Sequence, residues 1–100
     1  MTESLFVYGT LMDPVVQNRV FGRVAPGKRD TLPDYRKDRI RLGYGLVYPI
    51  IRPEIGSAVE GLVFYVTPGE LALIDAYEGI VYRRKKVTLM SGQQAWVYQE

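Results

Sequence analysis

The sequence contains neither cysteine nor histidine. Without cysteine there is no disulfide framework, no thiolate nucleophile and no cysteine-ligated zinc. Without histidine there is no imidazole base, no Ser–His–Asp triad and no His-ligated metal. Neither a metal site nor a cofactor is expected. Neither sign of charge is in large excess: 13 lysines and arginines against 11 acids leave a net charge of +2. That is a mild bias toward small anions and carries little information about nucleic acid. No apolar run approaches the ~20 residues of a membrane span, and the N-terminus lacks a basic segment followed by an apolar stretch. The expectation is a cytoplasmic protein that does not enter membranes. Any catalysis must run on carboxylates, lysines, hydroxyls, tyrosines or backbone groups.

What is present is a chain of 100 residues, 47% of them apolar. That fits one packed domain over residues 1–100 and leaves too little chain for two cores. Leu5-Phe6-Val7-Tyr8 is an uninterrupted apolar run, read as a central strand buried on both faces. Gly9-Thr10 breaks it. Asp13-Pro14 then starts a short helix, with Asp as N-cap and Pro in the first turn, and Gly22 ends it. Pro26-Gly27 and Pro33-Asp34 mark turns. Lys37 to Leu42 alternates, with Lys37, Arg39 and Arg41 on one face and Ile40 and Leu42 on the other, a half-buried strand. Gly43 to Ser57, rich in glycine and proline, reads as an irregular, partly apolar loop. Val59 to Val66 is a second strong strand. Thr67-Pro68-Gly69-Glu70 is a capping box that opens a helix running to about Glu78 and stopped by Gly79. Residues 83–90 and 95–98 form a hairpin around Ser91-Gly92-Gln93. The order β–α–β–β–α–β–β predicts an α+β fold: a small mixed sheet or barrel of about five to six strands, strongly curved and flanked by two short helices.

On a helical wheel the second helix carries Leu71, Leu73, Ile74 and Tyr77 on one apolar arc, and Glu78 falls between Ile74 and Leu71. Asp75 lies just beyond the edge of that arc, and Glu70 belongs to the cap. Glu78 also sits in the last turn, where the helix dipole disfavours an anion by ~0.3–1 kcal/mol. An inward carboxylate there has a raised pKa and can shuttle protons near neutral pH. The alternative is that Glu78 bends outward to pair with Arg83 or Arg84. Tyr8-Gly9-Thr10-Leu11 leaves a buried strand and enters a helix, so its successive N–H groups can bind a carboxylate or oxyanion. An ordinary strand–helix turn is the simpler reading of that segment alone. Arg83-Arg84-Lys85-Lys86 has the composition of a nucleic-acid patch. On a strand, however, its members alternate between faces, and a solvated, charge-guarded edge outweighs RNA binding.

Taken together, Phe6-Val7-Tyr8-Gly9-Thr10-Leu11-Met12 resembles the opening strand and loop of the gamma-glutamylcyclotransferase-like family, which includes the avirulence-induced plant proteins. Ile74-Asp75-Ala76-Tyr77-Glu78-Gly79, followed by Tyr82 and Arg84, is similar to its second signature. Tyr48-Pro49, Glu60-Gly61 and Ala95-Trp96-Val97-Tyr98 match lesser landmarks in order. The resemblance implies a small mixed β-barrel with a cavity between the opening loop and the second helix. It implies Glu78 as catalytic acid/base, with Tyr8, Gly9, Thr10 and Leu11 binding substrate mainly through backbone amides and Tyr82 lining the cavity. The implied partner is a small molecule carrying a gamma-glutamyl or similar carboxylate group, with no nucleic acid, and the implied reaction releases 5-oxoproline and an amine. The alternative of another class is a non-catalytic module that holds a small carboxylate in the same cavity. Nothing in the sequence specifies an oligomer.

Overall fold

The computed structural model describes residues 1–41 and 43–100. The apolar run near the N-terminus forms strand β1 (Glu3–Val7) in the middle of the sheet. Helix α1 (Pro14–Phe21), strands β2 (Lys28–Arg41) and β3 (Val47–Val66), helix α2 (Pro68–Glu78) and strands β4 (Arg83–Thr88) and β5 (Gln94–Gln99) follow in the expected order. Among the described residues the five strands make one mixed sheet in the order β2-β3-β1-β5-β4. β1 runs parallel to β5, and the other neighbours are antiparallel.

Burial on both faces of β1 follows from its unbroken apolar run. Leu5 and Val7 face the helices, where they cluster with Phe64, Val66, Phe21, Leu71 and Ile74. Phe6 and Tyr8 face inside the curl of the sheet, among Leu32, Ile51, Val59, Val63 and Val97. The curl is drawn closed at one end. The turn between β4 and β5 reaches β2, where the Met90 N–H donates to the Thr31 carbonyl at 2.8 Å and the Ser91 hydroxyl donates to Asp30. The result is a curled half-barrel with its two helices against one face.

The helix boundaries follow their local signals. The Asp13 carboxylate accepts from the Val15 N–H at 2.9 Å, and Gly22 ends α1. Both bonds of the capping box form at the start of α2, Glu70 N–H to Thr67 Oγ1 at 3.1 Å and Thr67 N–H to Glu70 Oε1 at 2.9 Å. Glu70 also accepts two bonds from Arg23, at 2.6 and 2.9 Å, which tie the cap to the segment leaving α1. Those Arg23 bonds hold the Glu70 carboxyl down at about 2, against burial, which opposes them.

Two expectations are corrected. Residues 47–57, read as loop, belong to the twenty-residue strand β3, which pairs with β2 from Val47 opposite Arg41 onward. Within β3, β1 pairs only with Leu62–Val66, so this arm of β3 has β2 as its ladder partner and the donors missing at Pro49 and Pro53 are tolerated. Pro33-Asp34 is not a turn but runs on within β2 through a register shift, at which Asp34 alone faces the extra residues 54–57 of β3. Asp34 takes φ +63 there, and its carboxylate accepts from the N–H of Gly56, itself at φ +91. Lys37, Arg39 and Arg41 are exposed and Ile40 is half-buried, as the alternation predicts; Leu42 lies outside the described residues.

Close approach of β3 to β1 depends on Gly61. A Cβ there would lie 2.2 Å from the Val7 carbonyl oxygen and 2.7 Å from Phe6 Cζ. Neither the strand backbone nor a fully buried ring can yield that much. Gly61→Ala is expected to cost about 3 kcal/mol or more in a urea titration. A loss under about 1 kcal/mol would mean that β3 packs less tightly on β1 than the coordinates place it.

Candidate active site

Because β1 is buried on both faces, the chain is still inside the molecule when the strand ends. Tyr8 is buried, and its hydroxyl donates to the Tyr98 carbonyl at 2.7 Å. Burial pushes this phenol well above its ordinary value, with the nearby charges of Tyr82 and Glu78 adding to the effect. Gly9 then leads into a single 3-10 turn over Thr10–Met12, closed by Met12 N–H to Gly9 O and Asp13 N–H to Thr10 O, both at 3.0 Å. The first amides of such a turn have no acceptor within it.

The turn is pinned from below. Leu11 is buried in the core, and its carbonyl accepts from Gln17 Nε2 at 2.8 Å. Gln17 is only 2% exposed, and its Oε1 accepts the Ala25 N–H at 2.9 Å. Both ends of a buried amide are thereby satisfied, and the loop is bolted to α1 and to the segment after it. Thr10 shares a 2.8 Å hydrogen bond with the Tyr77 hydroxyl, joining loop and α2 across solvent-exposed surface.

Helix α2 turns a different arc inward from the one expected. Leu71 and Ile74 are buried and Asp75 and Glu78 half-buried, whereas Leu73 and Tyr77 are 53% and 45% exposed. The wheel placed Leu73 and Tyr77 in the core because it weighed hydrophobicity alone. The site of Asp75 is instead furnished by polar neighbours. Asp75 accepts two bonds from Arg84, at 2.6 and 2.9 Å, and one from the Tyr98 hydroxyl at 2.6 Å. Burial works against its ionised form, but these bonds outweigh burial and hold Asp75 below the ordinary range. Glu78 has no such support. Burial first, and the Asp75 charge second, push its carboxyl up to about 7. Arg84, a candidate partner for an outward Glu78, is engaged by Asp75 instead.

Tyr8, Gly9, Thr10, Leu11, Glu78 and Tyr82 line one cleft, together with Phe6, Val7, Pro49 and Tyr98. The space enclosed between these residues is small, about 40 Å³. Among the described residues Glu78 is the only charged side chain in this lining. Tyr82 donates to the Pro49 carbonyl and so links the turn after α2 to the arm of β3. Burial, with Glu78, Tyr48 and Tyr77 close by, pushes the Tyr82 phenol up to about 12. Pro49 and Tyr98 were not singled out as site residues. Their only signal in the sequence was membership of the lesser landmarks, because their places depend on pairings far along the chain. The basic run divides as expected. Arg83 and Lys85 are exposed, while Arg84 and Lys86 stack on the Trp96 ring at 4.6 and 4.5 Å and pair with Asp75 and Glu3.

Comparison with known proteins places this geometry. A family profile described as Gamma-glutamyl cyclotransferase, AIG2-like matches residues 5–100. The chain belongs to this family. AIG2-like protein D of Arabidopsis thaliana is 35% identical over 88 residues, which cover 87% of this chain and 56% of that protein. AIG2-like protein C of the same plant is 36% identical over 88 residues and covered to 49%, so the chain spans about half the length of these curated relatives. The solution structure of an Arabidopsis thaliana protein, 34% identical, superposes with a TM-score of 0.81 over 98% of this chain and 68% of that one. A gamma-glutamyl cyclotransferase structure shares the fold at a TM-score of 0.78 and 18% identity, covering 99% of this chain and 66% of that one.

A carboxyl displaced upward without a cation partner leaves a signature in stability. Between about 4.5, the ordinary value, and about 7, the folded protein holds a proton that the unfolded chain has lost. Stability therefore falls as pH rises through that window, and the cost is fully present above it. Glu78→Gln, which cannot ionise, is expected to be more stable than the parent at pH 8 by roughly 1–3 kcal/mol and no more stable at pH 4. Urea unfolding at the two pH values checks this. A variant less stable at pH 8 would show that a cation holds the Glu78 carboxylate in solution.

Proposed function

We propose that this protein is a gamma-glutamyl cyclotransferase acting on a small gamma-glutamyl compound, with residues 1–100 forming one domain and Glu78 as general acid/base. The observation that carries the proposal is a carboxylate with no cation partner among the described residues, facing an amide-rich loop across a small cleft. In the reaction, the substrate's α-amine attacks its own γ-carbonyl carbon. A C–N bond forms to close a five-membered ring, and the bond to the leaving amine breaks. The products are 5-oxoproline and a free amine, and no water is consumed.

Glu78 removes a proton from the α-amine and delivers it to the departing nitrogen. A carboxyl that titrates near 7 is suited to both transfers. The Gly9, Thr10 and Leu11 amides hold the substrate carboxylate or the oxyanion that develops at the γ-carbonyl. Tyr8 and Tyr82 wall the site; their raised phenols stay neutral and place no second negative charge beside the oxyanion. Nucleophile and electrophile belong to one molecule, so holding it folded supplies much of the rate.

The proposal is tested on purified protein with gamma-glutamyl amino acids, gamma-glutamyl amines and glutathione, following 5-oxoproline by mass spectrometry. Wild type is expected to release it, and Glu78→Gln to lose about 10²–10⁴-fold in rate while staying folded. kcat/KM is expected to fall as pH drops below about 7, because the base must be ionised in the free enzyme. Turnover undiminished in Glu78→Gln would remove Glu78 from the mechanism. Saturable ligand binding without product would favour a module that binds a small carboxylate in the same cleft.

A further inference from the structure

Two carboxylates stand one helical turn apart on the inward arc of α2 and meet opposite fates. Glu78 opens into the cleft with no cation. Asp75 is clamped from two strands: by the Arg84 guanidinium of β4, at 2.6 and 2.9 Å, and by the Tyr98 hydroxyl of β5, at 2.6 Å. Arg84 also sits over Trp96, 4.6 Å from the ring centroid. The chain of contacts continues into the site, because the Tyr98 carbonyl accepts the Tyr8 hydroxyl at 2.7 Å. Arg84, Asp75, Tyr98 and Tyr8 thus form one connected frame from the outer strand to the start of the loop.

We propose that Asp75 is a positioning residue of this cleft, a fixed anion one turn before Glu78 whose field acts on it and whose bond to Tyr98 sets the wall that Tyr8 leans on. The ion pair fastens α2 to β4. It is placed on the arc that Glu78 occupies, at i and i+3, where side chains are neighbours. The groups facing Glu78 are few. Asp75 faces it from its own helix, Tyr82 from the turn that follows, Tyr8 from the end of β1 and Tyr98 from β5. The three phenols are all raised by burial and stay neutral at physiological pH. Asp75 is therefore the charge that distinguishes the Glu78 environment from simple burial, and Arg84 offsets it from the far side. This arrangement matches a general pattern in which paired carboxyls are driven apart so that one stays ionised and the other carries the proton.

The inference rests on the cyclotransferase reading for its functional meaning, but its test needs no substrate. The Glu78 side-chain carbon is followed by NMR against pH in the wild type, Asp75→Asn, Arg84→Gln and Arg84→Lys. Asparagine keeps the shape of Asp75 and removes its charge, so the Glu78 midpoint is expected to fall by about half a unit or more. Arg84→Gln leaves Asp75 without its counter-charge, and the midpoint is expected to rise by a smaller amount. Arg84→Lys restores the charge and is expected to return the midpoint to the wild-type value. A structural fastening alone would leave all midpoints together. A Glu78 midpoint that stays put in folded Asp75→Asn, or that moves the same way in Asp75→Asn and Arg84→Gln, would overturn the proposal. If Arg84→Gln does not fold, Asp75→Asn decides the matter alone. Absence of 5-oxoproline from the activity assay bears on the reaction and leaves this titration unaffected.

Discussion

The site depends on a strand that has no outer face. β1 is packed by helices on one side and by the inside of the curled sheet on the other, so its C-terminal end cannot emerge into bulk solvent. The chain must turn while still half-enclosed, and it does so with one glycine, one threonine and a leucine that stays in the core. Backbone amides at the start of that turn are then confined to a cleft rather than exposed on a surface. Gly61 keeps the neighbouring strand close enough for this enclosure. Buried Gln17 does the complementary work by fastening the carbonyl of Leu11. The loop is rigid because every route away from its place would strand a buried polar group or open the core.

Electrostatics in the cleft follows from what the enclosure leaves out. Among the described residues Glu78 is the only charged side chain in the lining, and Arg84 of the neighbouring strand β4 is engaged by Asp75. A carboxyl so placed is costly when ionised, and a sequence selected for stability alone would replace it. The same residue sits at the end of α2 where the helix dipole adds to the cost. Keeping an unfavourable carboxylate at that place is intelligible if its proton has a use. Residues that oppose stability without compensation are where function is commonly found.

Local chemistry was legible wherever a single segment determined it. Asp13-Pro14, the Thr67–Glu70 box and the apolar run of β1 each specify their structure through neighbours in sequence, and each formed as expected. The 43–57 stretch was misread because its glycines and prolines are local signals, whereas its strand is made by pairing with β2, residues away in sequence. The same holds for Pro33-Asp34, which stays within β2 because the opposite strand takes up the irregularity with residues 54–57. Helix α2 was misread in a more instructive way. Leu73 and Tyr77 looked like core on hydrophobicity, but Arg84 and Tyr98, brought by β4 and β5, supply partners that let Asp75 face inward instead. No periodicity within α2 could disclose that. Glu78 was legible because its oddity is local, an acid on the buried arc in the last turn; Pro49 and Tyr98 were not, because their positions are tertiary.

The three parts of the cleft come from structurally separate sources, and this has a consequence for how such a site can vary. The loop is fixed by β1 and Gln17, and Glu78 by the end of a capped helix. The remaining wall, Pro49, comes from the arm of β3, whose ladder partner is β2 and whose prolines already interrupt the edge. Tyr82 reaches that wall by a single hydrogen bond to a backbone carbonyl, which any residue at position 49 would present. Substitutions in the arm can therefore reshape one side of the cleft while the loop and the Glu78 carboxyl keep their geometry. The ring closure proposed for this cleft would need only those two fixed parts. On that proposal, a chain with neither histidine nor cysteine supplies both from a strand end and a helix end, and leaves the rest of the substrate to a wall that is free to change.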